Sequence, residues 1–260
     1  MDYENILYEP KDGIGWITIN RPKAMNALST TLLAELCDAI KTLEEDGDIK
    51  AVVIKGAGEK AFSAGADLGE IKDLTIKGAF DYSRAAHRAF NAVEQCAKPV
   101  IACINGLAIG GGAELALGCH IRVAAEGAKI GFPESGLGGI PGMGGTQRLP
   151  RLIGKGVALS YLLTGDMIKA EQGLNCGLYH QIFPNEEVVQ GAEALAKKLA
   201  QKSPLSLKFI IQAVANGLEG NIEEGLVLEA AFMAAIKNSE DSAEGLKAIF
   251  EKRPPTFKGE

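Results

Sequence analysis

Histidine, aromatic side chains and positive charge are all in short supply. Aromatic residues make up 6% of the 260-residue chain, and the three histidines are His87, His120 and His180. A Ser-His-acid hydrolase would need one of them. His87 lies in a predicted helix, His120 opens a predicted strand, His180 falls in a predicted loop, and no GxSxG accompanies any of them, so each reads as structural or superficial. The five cysteines, Cys37, Cys96, Cys103, Cys119 and Cys176, are odd in number and without a CxxC spacing. That argues against a disulfide framework or a zinc site and fits free thiols in a reducing cytoplasm. Lysine and arginine total 27 against 33 aspartates and glutamates, a net charge of −6, so the basic face needed for nonspecific nucleic-acid binding is missing. No GxxxxGK[ST] occurs, which leaves a P-loop unsupported. The opening MDYENILYEP has neither the basic region nor the apolar core of a leader, and a cytoplasmic location is expected. The longest apolar stretch, Pro99 to Ala125, has the length of a membrane span. Asn105-Gly106, three glycines, Glu114, His120 and Arg122 divide it, so no membrane helix is expected.

What the chain does have is apolar residues, 47% of the total, enough for one large core. Strand and helix alternate through the first two-thirds, an α/β pattern. Gly15 to Asn20 predicts a strand. Ser29 predicts the cap of a helix carrying Leu32, Leu33, Leu36, Ile40 and Leu43 up to Asp46-Gly47, and Ala51 to Ile54 the next strand. The long apolar stretch divides into strands at Pro99 to Ile104 and Ile121 to Ala125, with a short helix from Gly111 to Gly118 between them. Beyond Pro184 strands disappear and four helices follow. One is marked by Val188, Val189, Ala192, Leu195, Ala196 and Leu199. The others start at Ser203-Pro204, with Gly217 as closing residue, at Asn221 with Glu224, and at Ser239. Their apolar faces suggest packing or assembly.

Two glutamates stand out because each lies among glycines, in IGGGAELALG and IGFPESGLGGIPGMGG. Glycine lets main-chain N–H groups come close to a ligand, and a glycine-to-helix junction aims free N–H groups and partial positive charge at what lies before it. The bland alternative is three glycines packing a buried helix against a strand. Glu114 weighs against it, since a carboxylate in so apolar a run must be paired or used. Donors beside Glu114 and a second carboxylate at Glu134 suit oxyanion stabilisation with proton transfer on a carbonyl compound. GAGEKA after the strand AVVIK matches a loose dinucleotide fingerprint, but it runs into FSAGADL instead of opening an amphipathic helix. Arg21 and Lys23 in NRPKAMNAL, and Lys60 in GEKAFSAGAD, lie in turns beside strand ends, where a cluster can hold phosphates.

Taken together, NRPKAMNAL, GEKAFSAGADL, KPVIACINGLAIGGGAELALGCHIRVAA, FPESGLGGIPGMGGTQRLPRLIG and FEKR resemble the enoyl-CoA hydratase, or crotonase, family over nearly the whole chain. The resemblance implies a spiral of repeated ββα units followed by a helical C-terminal trimerisation region. The implied division is a catalytic unit over 1–195 and a packing and oligomerisation region over 196–260. It also implies an acyl-CoA thioester substrate, a homotrimer or pair of trimers, and no cofactor beyond the CoA of the substrate. By the same likeness, the N–H groups of Ala66 and Gly111 form an oxyanion hole. The main chain of Ala64, Gly65, Asp67 and Leu68 lies along the CoA, near Lys23 and Lys60. Glu114 activates a water and Glu134 protonates Cα.

Having both glutamates favours water addition over the double-bond shift of family isomerases. Two departures from the family pattern are visible. Phe132 stands where many hydratases have glutamine, which raises the expectation of a drier acyl pocket or a cyclic substrate. His120 replaces a usual aspartate, with an altered supporting contact expected.

Overall fold

The computed structural model describes residues 3–260. A hairpin of β1 (Ile6–Lys11) and β2 (Ile14–Ile19) leads into α1 (Thr30–Glu45), and repeated ββα turns follow. The first comprises β3 (Ala51–Gly56), β4 (Ala61–Ser63), the single turn α2 (Leu68–Ile71) and α3 (Ile76–Glu94). The second is β5 (Val100–Ile104), β6 (Leu107–Ile109) and α4 (Gly111–Gly118). The third is β7 (Ile121–Ala125), β8 (Lys129–Gly131), a 3₁₀ turn at Pro133–Leu137, α5 (Gly145–Ile153) and α6 (Lys155–Thr164). After β9 (Ile168–Lys169), α7 (Ala170–Asn175) and β10 (Gln181–Phe183), the chain ends in α8 (Val188–Ala200), α9 (Pro204–Gly217), α10 (Ile222–Ile236) and α11 (Glu240–Glu251).

Each turn sends its first strand into a six-stranded sheet, ordered β1-β2-β3-β5-β7-β10, and its second into a four-stranded sheet, ordered β4-β6-β8-β9. Successive turns pair in parallel, with Val52 opposite Val100, Ile101 opposite Ile121 and Leu107 opposite Lys129. This is the ββα spiral expected from the sequence. Strand β5 is buried along its whole length, as a strand covered on both faces of a parallel sheet must be. Helix α8 packs across β2, β3, β5 and β7. On α1, Leu43 occupies the space left by Gly15, where a Cβ would stand 2.2 Å from a leucine methyl. GAGEKA forms the loop between β3 and β4 and opens no helix, in keeping with its rejection as a nucleotide fingerprint. None of the helices among the described residues is long and apolar enough to cross a membrane.

Helix α4 passes through the centre with all of its residues buried. Its apolar surface all round marks an interior helix. A Cβ on Gly112 would lie 2.3 Å from the carbonyl of Ser63, so at this one glycine the close-packing explanation is correct. Arg122, almost wholly buried, closes the other end. Its Nη1 donates to Cys119 O at 2.5 Å and Ala116 O at 3.3 Å, and its Nε to Leu178 O at 2.9 Å. A cation at a helix C-terminus is favoured by the helix dipole.

The expected helix caps are present. The side chains of Ser29, Ser203, Asn221 and Ser239 accept from the N–H groups of Leu32, Ser206, Glu224 and Ser242. Gly217 is the last residue of α9, but the cap beyond it is Leu218 in right-handed geometry. The missing Cβ serves instead a close approach to Gly225 of α10. The rings of Phe209 and Phe232 stack with centroids 4.8 Å apart and tie the same two helices. The division expected at 195/196 falls inside α8, whose buried Val188, Ala192 and Ala196 belong to the main core.

Arg122→Met should lower the unfolding free energy by about 3 kcal/mol, because the carbonyls of Cys119 and Leu178 lose a charged donor with no water to replace it. The urea midpoint read by circular dichroism measures this.

Candidate active site

Local chain geometry first places the loops. Met25 and Asn26 adopt left-handed conformations that fold NRPKAMNAL onto the loop after β4. Ala64 N donates to Met25 O at 2.9 Å, and Asn26 Nδ2 donates to the carbonyls of Ala57 and Ala61 at 3.0 and 2.8 Å. Leu28 N donates to Gly65 O and Asp67 N to Leu28 O, at 2.7 and 3.1 Å. In such a parallel bridge the intervening residue's own N–H points away from its partner, so that of Ala66 is turned outward.

Gly110, at φ +51°, turns the chain from β6 into α4 and makes Gly111 the first helical residue, whose N–H has no acceptor within the helix. The two N–H groups are neighbours. A Cβ built on Gly111 would lie 3.4 Å from Ala66 N, and one on Gly65 would lie 3.3 Å from Gly111 N. A Cβ on Gly110 would come within 2.8 Å of Glu134 Oε1, so the second carboxylate stands at the same helix start.

Glu114, one turn into α4, is 1% exposed. Its Oε1 accepts from Met143 N and Gly145 N, each at 2.7 Å. Burial pushes its pKa up to about 7, helped by the charge of Glu134 and opposed by those two hydrogen bonds and by Arg148. Glu134 rides on the 3₁₀ turn and is half-buried. Its Oε2 is shut away from solvent without a hydrogen-bond partner, and burial raises its pKa as well. Two carboxyl groups with raised and interacting pKa values, beside paired main-chain donors, are equipped to exchange protons near neutrality while an anion is held.

Glycine and proline backbone leads from the acids to a cavity of about 740 Å³ whose lining includes Gly139, Ile140, Pro141, Leu159, Leu162 and Leu163. A Cβ on Gly139 would be 3.9 Å from Glu134 Cβ. One on Gly145 would be 2.9 Å from Pro141 Cβ and 3.1 Å from Glu114 Cγ. Among the described residues, no group of three or more His, Cys, Asp or Glu side chains is placed to hold a metal ion.

Glu114, Glu134, Ala66 and Gly111 are therefore brought together. Ala64 and Gly65 form the rim of that cluster, and Leu68, 67% exposed, projects beside it. Lys23 is exposed on NRPKAMNAL, and Lys60 is exposed on the loop before β4, at the other end of that strand from Ala64. Asp67 is engaged within the protein. Its carboxylate caps α2 through Gly69 N and lies 2.8 Å from Arg21 Nη2, a hydrogen bond that holds its pKa below the usual range. Arg21, a phosphate candidate by its position in the sequence, thus faces inward to Asp67 and Ala27 O.

The expectation for Phe132 is corrected. Its side chain has no exposure and belongs to the hydrophobic core, so the ring does not line the cavity. His120 accepts from Val100 N at 2.9 Å and lies 3.0 Å from Glu94 O, joining β5 to the end of α3. The main-chain donors Met143 and Gly145 are invisible in a residue-by-residue reading. The only signal for them is the glycine density of GIPGMGG just before an amphipathic helix.

A family model described as enoyl-CoA hydratase/isomerase matches residues 9–260. The chain belongs to that family. The crotonyl-CoA hydratase of Syntrophomonas wolfei is 38% identical over 257 residues, covering 99% of each chain. A probable enoyl-CoA hydratase of Bacillus subtilis is 44% identical over 248 residues, 94% of this chain and 95% of that one. The crystal structure of an enoyl-CoA hydratase from Bacillus anthracis superposes with a TM-score of 0.96 at 38% identity, covering 99% of this chain and all of that one. Family membership and fold therefore agree over the full length.

Gly111→Val places methyl groups between the Ala66 and Gly111 N–H groups. It should cut kcat/KM for an enoyl-CoA by at least about 100-fold, the scale of losing one oxyanion donor. Steady-state hydration kinetics on the folded variant measure this.

Proposed function

We propose that the protein is a hydro-lyase, an enoyl-CoA hydratase that adds water across the 2,3 double bond of a trans-2-enoyl-CoA to give a 3-hydroxyacyl-CoA. The observation that carries this reading is the convergence of two carboxyl groups and two main-chain N–H groups, next to a segment, Gly139 to Pro141, that lines a largely apolar cavity. The Ala66 and Gly111 N–H groups act as the oxyanion hole, taking the charge that gathers on the thioester oxygen as enolate character develops. Glu114 is the base. Its Oε1 is held by two N–H groups, which leaves Oε2 to take a proton from water as its oxygen attacks Cβ. Glu134 delivers the proton to Cα. The acyl group enters the cavity lined by Ile140 and the α6 leucines, while the CoA lies along Ala64 to Leu68, with Lys23 and Lys60 near its phosphates. Every step uses protein groups and substrate alone.

Two acids favour hydration over isomerisation, since a double-bond shift returns a proton with a single acid-base group. The relatives named for crotonyl and short-chain enoyl-CoA make crotonyl-CoA the first substrate to test. We propose the cytoplasm as its location and fatty-acid β-oxidation as its setting, with butyrate metabolism and aromatic degradation as the other settings such an activity serves.

Assembly is part of the proposal. Ile210, Val214, Val227, Met233, Ile249 and Phe250 on α9, α10 and α11 are exposed, Phe250 at 83%. Exposed apolar side chains on these helices are of the kind that copies of a chain bury against each other. We infer a trimer or a pair of trimers. Sedimentation equilibrium should return three or six chain masses, and a monomer at micromolar concentration would end this part of the reading.

Glu114→Gln and Glu134→Gln should each slow crotonyl-CoA hydration by about 10²- to 10⁴-fold. For the unaltered protein, kcat/KM should fall as pH drops through about 7, where Glu114 gains the proton that a base must lack. Near-normal turnover in either variant removes that residue from its role. Formation of a shifted double bond in heavy water without a hydroxyl product selects the isomerase.

A further inference from the structure

The segment that grips Glu114 is itself gripped by a polar stripe on α3. Ser83, His87, Asn91 and Glu94, spaced by four, four and three residues, share one face of that helix. Ser83 Oγ donates to Gly142 O at 2.5 Å, and the His87 ring hydrogen-bonds the Gly142 main chain. The lower half of the stripe meets Arg148 of α5. Its Nη2 donates to Asn91 Oδ1 and Glu94 Oε2, both at 2.6 Å, and its Nε to Glu94 Oε2 at 3.0 Å. From there the guanidinium reaches back to Met143 O, with Nη1 3.5 Å away. Gly144, at φ +119°, makes room for it, since a Cβ there would lie 2.2 Å from Nη1. Met143 and Gly145, on either side of that glycine, are the two residues whose N–H groups hold Glu114 Oε1.

We propose that Arg148 is a positioning residue for Glu114: anchored on the α3 stripe, it holds the Met143–Gly145 turn in the geometry that points two donors at the base. The inference rests on the hydratase reading, in which Glu114 is the base. The charged groups acting on Glu114 are Glu134 and Arg148. Glu94 and His87 stand around Arg148, whose charge also acts on Cys119. In the Arg148–Glu94 pair the arginine side chain is 11% exposed and the glutamate side chain 43%. The pair's value lies in the turn it orients.

The sign of the effect follows from the charges. Removing the Arg148 cation makes protonation of Glu114 easier, so the acid limb of kcat/KM must move to higher pH. Arg148→Gln, compared with the unaltered protein on crotonyl-CoA from pH 5 to 9, should show the limb raised. It should also show kcat reduced about 10- to 100-fold, the scale of a slightly misplaced catalytic group, with KM changed little. Arg148→Lys keeps the charge without the fork. Its limb should stay in place while kcat is only partly restored. A folded Arg148→Gln variant whose limb has not moved overturns the proposal whatever its rate, because a merely structural arginine would alter rate alone. Should Arg148→Gln fail to fold, Arg148→Lys decides, and full kcat in that variant overturns it. No hydration by the unaltered protein is a different failure, and removes the hydratase reading itself.

Discussion

The arrangement depends on a carboxylate placed where a carboxylate is unfavourable. Glu114 sits in an eight-residue helix with no exposed surface, at the centre of the core. Among the described residues no cation bonds to it; two main-chain N–H groups do. Those bonds make the burial tolerable without fully neutralising its consequence, and the remaining imbalance keeps the group near its titration point at neutral pH. A direct ion pair would have left the carboxylate too weak a base, and burial without donors would have left it permanently protonated. The intermediate position suits a group that must both take and return a proton.

The surrounding structure can be understood as support for that position. Helix α4 is held against β4 by Gly112, which only a residue without a side chain permits, and is closed at its far end by Arg122. Its near end, where Gly111 begins the helix, faces Ala66 on the loop that Asp67 and Arg21 fasten. The 3₁₀ turn bearing Glu134 and the turn through Gly144 arrive from the next repeat. Each of the three ββα units thus contributes to the site, the second supplying both Gly111 and Glu114, and the parallel registry of the sheets sets their separation.

Much of this was legible in the chain. Glycines beside Glu114 announced close approach of main chain, because no other residue accepts the same packing. The caps at Ser29, Ser203, Asn221 and Ser239 were legible because capping is a contact between residues three apart. Phe132 was misread as pocket lining because an aromatic residue beside a catalytic motif looks the same in sequence whether its ring turns inward or outward. Gly217 was misread for a related reason: the glycine serves a neighbour eight residues away on another helix and not its own helix end. The limit of the main unit was blurred inside α8, since an amphipathic period reveals an apolar face without revealing what covers it.

What the sequence determined by itself was the local material: the longer strands and most of the amphipathic helices, which glycines free the backbone, and which carboxylates lie in apolar surroundings. These depend on neighbours along the chain, within a turn or two. Only the tertiary structure decided that Met143 and Gly145 would serve Glu114, that Arg21 would turn to Asp67, and that a polar stripe on α3 would meet Arg148. Those partners are separated by 29 to 57 residues, and nothing short of the folded sheets brings such distant positions within hydrogen-bonding range.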